Sequence, residues 1–174
     1  EAKIVAPDAT TEDLFGFKVA IDNDTMVVSS LLDDDDGNES GSAYIYVRDG
    51  SEWTLQAKLT ASDATAGDWF ARDVGIDGDT VVIGANKTDD LGYWSGSAYV
   101  FVRNGTTWTQ QAKLTASDGE LGDLFGVSLE VDGDTVVVGA RWDDNDAVNN
   151  AGGAYVFVRN GTTWTQQAKL TAPA

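Results

Sequence analysis

Nineteen residues from Ala98 to Ala116, AYVFVRNGTTWTQQAKLTA, return letter for letter from Ala154 to Ala172, and a weaker copy, AYIYVRDGSEWTLQAKLTA, runs from Ala43 to Ala61. A chain that repeats one unit must fold by stacking that unit on its own copies. The Ala-Lys pairs at Ala57, Ala112 and Ala168 are spaced by 55 and then 56 residues, and Ala2-Lys3-Ile4 fits the same register one period earlier. Residues 1–174 therefore read as a single repeat domain, with unit 1 at about 2–56, unit 2 at about 57–111 and unit 3 at about 112–172.

Within the repeated block, Ala154, Val156 and Val158 alternate with Tyr155 and Phe157, so both faces of this strand are apolar and both are covered. Asn104-Gly105 and Asn160-Gly161 then supply a tight hairpin turn, because both residue types adopt positive φ readily. Beyond the turn, Trp164, Gln166, Ala168 and Leu170 alternate with Thr165, Gln167, Lys169 and Thr171, which predicts an outer strand with one covered and one wet face. Earlier in each unit, Leu14-Phe15-Gly16, Trp69-Phe70-Ala71 and Leu124-Phe125-Gly126 open a first strand with one face of mostly small residues. Short turns at Asp22-Asn23-Asp24, Asp77-Gly78-Asp79 and Asp132-Gly133-Asp134 lead into the β-branched runs Met26–Val28, Val81–Ile83 and Val136–Val138. Long polar loops at 33–42, 86–97 and 141–153 return the chain to the aromatic strand. Four antiparallel strands per unit, with no helical periodicity, predict an all-β fold, a β-propeller or propeller segment of three four-stranded blades.

Composition narrows the chemistry. The chain has neither cysteine nor histidine, which removes thiol nucleophiles, imidazole bases and the usual zinc sites. Its 29 acidic and 11 basic residues give a net charge of −18, which disfavours nucleic acid and anionic membrane surfaces. No apolar run approaches the ~20 residues of a membrane helix, so membrane insertion is not expected. The sequence opens at Glu1 without Met, which reads as a mature or excised portion.

The Phe-Gly at the start of the first strand, with Gly84-Ala85 and Gly139-Ala140 closing the second, resembles the FG-GAP repeats of integrin α-subunit propellers and of bacterial surface proteins. The pattern AKLTASD, GDLFGVSLEVDGDTVVVGA, GGAYVFV covers essentially the whole chain. Departures are Ser29-Ser30 for Gly-Ala in unit 1, Ala71 for Gly in unit 2, and Leu31, Asn86 and Arg141 in place of the proline that closes the motif. The resemblance implies an extracellular or cell-surface location, adhesion or protein contact, and no enzymatic activity. Calcium-binding members carry a DxDxDG loop between the first two strands, where this chain has only the Asp-Gly-Asp turn, so the family's calcium cage does not carry over.

An up-down-up-down unit sends its long loop and its link to the next unit out at the same end, and most of the 29 carboxylates fall there. Asp33, Asp35, Asp36 and Glu39 in unit 1, Asp89 and Asp90 in unit 2, and Asp143, Asp144 and Asp146 in unit 3 offer the oxygen ligands that Ca²⁺ prefers. The same residues also suit solvated turns, and no loop shows a full ligand spacing. Trp53, Trp108 and Trp164 recur at one position and read as contacts between units rather than sugar platforms. Trp69, Tyr93, Trp94 and Trp142 break the repeat at the acidic end, and are the candidates for contact with a protein partner.

Three blades leave open edges. The chain is then an excerpt of a longer array, half of a six-bladed ring, or a subunit of an open head-to-tail assembly. Two functions follow: a non-enzymatic scaffold binding protein through its acidic loop end, or a self-assembling structural subunit whose partner is its own copy.

Overall fold

Each short turn places a residue of positive φ where the chain reverses: Asn23 at 51°, Gly78 at 54° and Gly133 at 55°, then Gly50 at 60°, Gly105 at 65° and Gly161 at 64°. The result, in a computed structural model that describes residues 3–144 and 148–172, is twelve strands with no helix among the described residues. Unit 1 holds β1 (Phe15–Asp22), β2 (Thr25–Ser30), β3 (Ser42–Asp49) and β4 (Glu52–Leu59). Unit 2 holds β5 (Phe70–Asp77), β6 (Thr80–Ala85), β7 (Ser97–Asn104) and β8 (Thr107–Leu114). Unit 3 holds β9 (Phe125–Asp132), β10 (Thr135–Ala140), β11 (Gly153–Asn160) and β12 (Thr163–Thr171). Each unit is a separate antiparallel sheet in sequence order, the expected blade.

Sheet stacks on sheet in chain order. The side of each sheet facing the preceding unit is called here its head face, and the side facing the following unit its tail face. The tail face of unit 1, with Val27, Ala43, Ile45 and Leu59, packs against Val74, Ile76, Val81 and Ile83 of unit 2. The tail face of unit 2, with Val82, Ala98, Val100 and Leu114, packs in the same way on Val131, Val136 and Val138 of unit 3. Both faces of the central sheet are thus apolar and covered, as the two-sided strands predict. The phenylalanine of each Phe-Gly wedges in edge-on: Phe70 against Tyr99 at 5.5 Å and Phe101 at 6.1 Å, Phe125 against Tyr155 at 5.4 Å and Phe157 at 6.0 Å.

One expectation needs correction. The outer strand does not keep a single covered face, because a bulge shifts its pairing: Val100 opposes Ala112 but Phe101 opposes Gln110, leaving Gln111 extra, and the other two units repeat the shift. A bulge of one residue flips the alternation. Gln110 accepts from the Ser62 backbone N–H in the link from unit 1 at 3.0 Å, while Ala112 and Leu114 pack toward unit 3. One strand therefore grips both neighbours. Two of the three repeated tryptophans sit between units: Trp108 Nε1 donates to Gln56 of unit 1 at 2.8 Å, and Trp164 Nε1 to Gln111 of unit 2 at 2.9 Å, while Trp53 lies on the outer face of unit 1.

Backbone bonds sew the long-loop end. Gly67, Trp69 and Phe70 donate their N–H groups to the carbonyls of Asn38, Glu39 and Ser40, and Gly122, Leu124 and Phe125 donate to those of Tyr93, Trp94 and Ser95. The loop of one unit is thereby fixed to the link entering the next.

Candidate interaction surface at the long-loop end

The long loops and the links between units meet at one end, as the topology requires, and a lysine knots them together in every unit. Lys58 on β4 reaches Asp8 of the link at 2.9 Å, Asp33 of the loop at 2.9 Å, and Asp35. Lys113 on β8 reaches Asp63 at 2.7 Å and Asp90 at 2.6 Å; Lys169 on β12 reaches Asp118 at 2.9 Å and Asp143 at 2.8 Å. A tyrosine from the third strand completes two of the knots: the Tyr44 hydroxyl donates to Asp8 and Asp33, and the Tyr155 hydroxyl to Asp118 and Asp143. In unit 2, Thr88 replaces the buried aspartate, and Asp90 takes the lysine together with the Ser97 hydroxyl. The unit period contains these lysines and tyrosines at constant positions. What the sequence does not reveal is that the lysine bends off the outer strand into the carboxylates.

The titration behaviour follows. Burial pushes the Asp8, Asp90 and Asp118 carboxyls up, but hydrogen bonds from Lys58, Lys113 and Lys169 outweigh it and hold all three below the ordinary carboxylate value. Burial wins at Asp68 and Asp123, which sit above that value although backbone N–H groups of Thr65 and Glu120 donate to them. A depressed carboxylate stabilises the fold above its unfolded value and loses that contribution as pH falls through the folded one; a raised one does the reverse. Acidification also relieves the repulsion of a chain at −18. Tm is therefore expected to hold or rise from pH 7 to about 4.5 and to fall steeply below about 3.8, as protons break the lysine knots. Calorimetry on Lys113→Met should show a shallower acid fall than the parent, because Asp90 is no longer held low; an unchanged slope would remove the knots as its cause.

The candidate cation ligands divide among several tasks. Asp33, Asp35, Asp90 and Asp143 hold ammonium groups. Asp89 and Asp144 each clamp their own loop, accepting from the backbone N–H of Trp94 and Asn150, as Asp34, outside the candidate set, does for Glu39 in unit 1. The Glu39 carboxylate accepts from Trp69 Nε1 at 3.0 Å, Asp36 is exposed, and Asp146 lies outside the described residues. Among the described residues no group of three or more carboxylates is arranged to hold a metal ion.

The aromatic candidates, by contrast, partly converge. Tyr93 stacks on Trp94 with ring centroids 4.6 Å apart and planes 22° from parallel. Lys87 lies 3.0 Å from the Trp69 ring centroid and 4.8 Å from that of Trp94, so its ammonium joins the two rings, and the desolvation lowers its pKa. Trp142 stands apart in the loop of unit 3, under the Arg141 guanidinium at 4.8 Å. Beside the stack, Tyr93, Leu91 and Leu121 are 55%, 47% and 71% exposed. They adjoin one another, since the Tyr93 carbonyl accepts from Gly122 and a Cβ on Gly92 would lie 3.3 Å from the Leu121 backbone. Leu91 and Leu121 also depart from the repeat, standing where unit 1 has Asp36 and the link into unit 2 has Ala66, and the fold sets them side by side.

A family model described as the FG-GAP repeat matches the chain three times, at residues 1–46, 53–101 and 108–157. No curated protein matches the chain.

Proposed function

The chain belongs to the FG-GAP repeat family, and on that premise we propose that it is a non-enzymatic β-propeller-type scaffold, extracellular or surface-attached, binding a protein partner at its long-loop end. The observation that carries this reading is the exposed patch of Leu91, Tyr93 and Leu121 beside the Trp94 stack, at the seam of units 2 and 3. At this end the lysines, the tyrosines of two knots and most of the loop aspartates are engaged in knots and clamps, whereas Leu91, Tyr93 and Leu121 form a contiguous exposed patch. Apolar side chains centred in a charged rim are the usual makeup of a protein-binding hot spot. The surrounding carboxylates, Asp89 and Glu120 among them, favour a partner that sets apolar residues among lysines and arginines.

A photoreactive residue placed at Tyr93 is expected to crosslink one discrete surface protein of the source cells, competed away by excess unmodified chain. The same probe at Asp79, in a short turn at the other end, should capture none. Substituting Tyr93→Ala with Leu121→Ser should weaken capture by about tenfold or more. Equal labelling from both ends, or capture indifferent to the double substitution, would end this assignment.

A further inference from the structure

We propose that the tail face of unit 3 binds the head face of unit 1 of a second copy of this chain, reproducing between molecules the interface the chain already makes twice within itself. The two outer faces are the unmatched halves of that interface. Val137 is 38% and Leu170 56% exposed on the tail face, where their counterparts Val82 and Leu114 are 0% and 3%. On the head face Val19 and Ile21 are 67% and 63% exposed, where Val74 and Ile76 are 7% and 8%.

The polar pairing is left over in the same matched way. Arg103 donates to the Thr25 hydroxyl and Arg159 to that of Thr80, both at 3.1 Å; Arg48 and Thr135 are the remaining members of the series. Gly78 N–H donates to Asp22 and Gly133 N–H to Asp77, leaving Asn23 and Asp132. The Trp108–Gln56 and Trp164–Gln111 bonds leave Trp53 and Gln167. Along the sewn backbone, Glu12, Leu14 and Phe15 are the donors of the series, and the carbonyls of Asn149, Asn150 and Ala151 the acceptors, that take no part in a bond between units among the described residues.

The space for the contact is also present. A Cβ on Gly84 would strike the Gly126 carbonyl at 2.0 Å, because the Phe-Gly segment of the next unit lies there. At the equivalent Gly139 no neighbouring unit intrudes, and a cleft of about 410 Å³ opens, lined by Gly139, Ala140, Gly152, Ala154 and Leu170. Phe15 and Gly16 of a second copy are the segment of matching register, and a Cβ on Gly16 meets nothing within 4 Å in the free chain.

One segment competes for the site. Ile4 and Ala6 cover Tyr44 and Tyr46 on the head face, and in the repeat they correspond to Leu170 and Ala172. They occupy the lane that β12 of the docked copy would fill. β12 is already paired with β11, whereas residues 3–6 are paired in no strand, so the terminal segment of the incoming copy is the one displaced. It acts as an internal competitor.

Sedimentation over a wide concentration range tests the contact on the full chain. Association beyond 18.4 kDa is expected, and removal of residues 1–6 should strengthen it by at least tenfold. Val137→Lys and Ile21→Lys, both at exposed positions, should each give a monomer, yet an equimolar mixture should recover a 1:1 dimer, since each variant keeps the face the other has lost. Circular dichroism of each variant alone checks that it remains folded. A closed ring would stop at one size and a filament would grow; either carries the contact. A full-length chain and a truncated chain that both stay monomeric at millimolar concentration, or single variants that associate like the parent, would overturn it.

Discussion

Gly96→Ala is expected to lower stability by more than about 4 kcal/mol although it removes no atom from the chain. Gly96 has φ of +85°, and a Cβ there would stand 2.1 Å from the Phe125 carbonyl oxygen and 2.7 Å from its nitrogen. Left-handed backbone alone costs an alanine about 1–2 kcal/mol. The remainder comes from the collision, because the struck atoms are backbone and cannot rotate away. They also cannot retreat: Leu124 and Phe125 donate their N–H groups to Trp94 and Ser95, so moving the chain breaks the bonds that fix unit 3 to unit 2. Gly152 is the same position in unit 3, with φ of +80° and its nearest atom, the Arg141 carbonyl oxygen, at 3.1 Å. Gly152→Ala should therefore cost only the local strain, about 1–2 kcal/mol. Urea titration of the two variants separates these terms, and equal losses would show that close approach of neighbouring units does not set the glycine requirement.

The contrast explains what the sequence could and could not disclose. Strands and turns follow from local rules, since Asp-Gly and Asn-Gly turns and two-sided apolar strands act within a few residues, and three copies reinforce each other. The fold has those strands and turns, while β4 and β8 run across the limits at 56/57 and 111/112 that the repeat period alone suggests. The reading failed where an effect depends on one extra residue: nothing in Trp164-Thr165-Gln166-Gln167 marks Gln167 as the bulge, yet that bulge turns Ala168 and Leu170 to the opposite side from Trp164. At the loop end the surplus of aspartates concealed their division of labour. Asp33 and Asp34 are neighbours of identical type, but Asp33 is buried against Lys58 and Tyr44 while Asp34 clamps the Glu39 N–H from the surface. That difference lies in the direction of the chain, which composition does not encode. Of the aromatic residues that depart from the repeat, Trp69 and Trp94 are joined by Lys87 and Tyr93 stacks on Trp94, while Trp142 stands apart under Arg141, a grouping that comes from the fold and not from the departures themselves.

Phe70→Ala should remove about 3–5 kcal/mol, whereas Phe15→Ala, the same motif residue one unit earlier, should remove about half as much. Both rings lie edge-on to two aromatic residues, Phe15 at 5.4 Å from Tyr44 and 6.4 Å from Tyr46, so their contacts inside their own sheets are alike. They differ in what stands in front. Phe70 is completely buried because the tail face of unit 1 closes over it, and its truncation opens a cavity between two sheets that are held together by backbone bonds and cannot collapse. Phe15 is only half-buried, with solvent free to enter the space its ring would leave, so little more than its transfer from water is lost. Chemical denaturation in dilute solution should show this difference. Raising the concentration until copies associate should enlarge the Phe15→Ala deficit toward that of Phe70→Ala, because a docked tail face seals the cavity. A Phe15→Ala loss that stays constant through association would mean that the ring never becomes part of the interface.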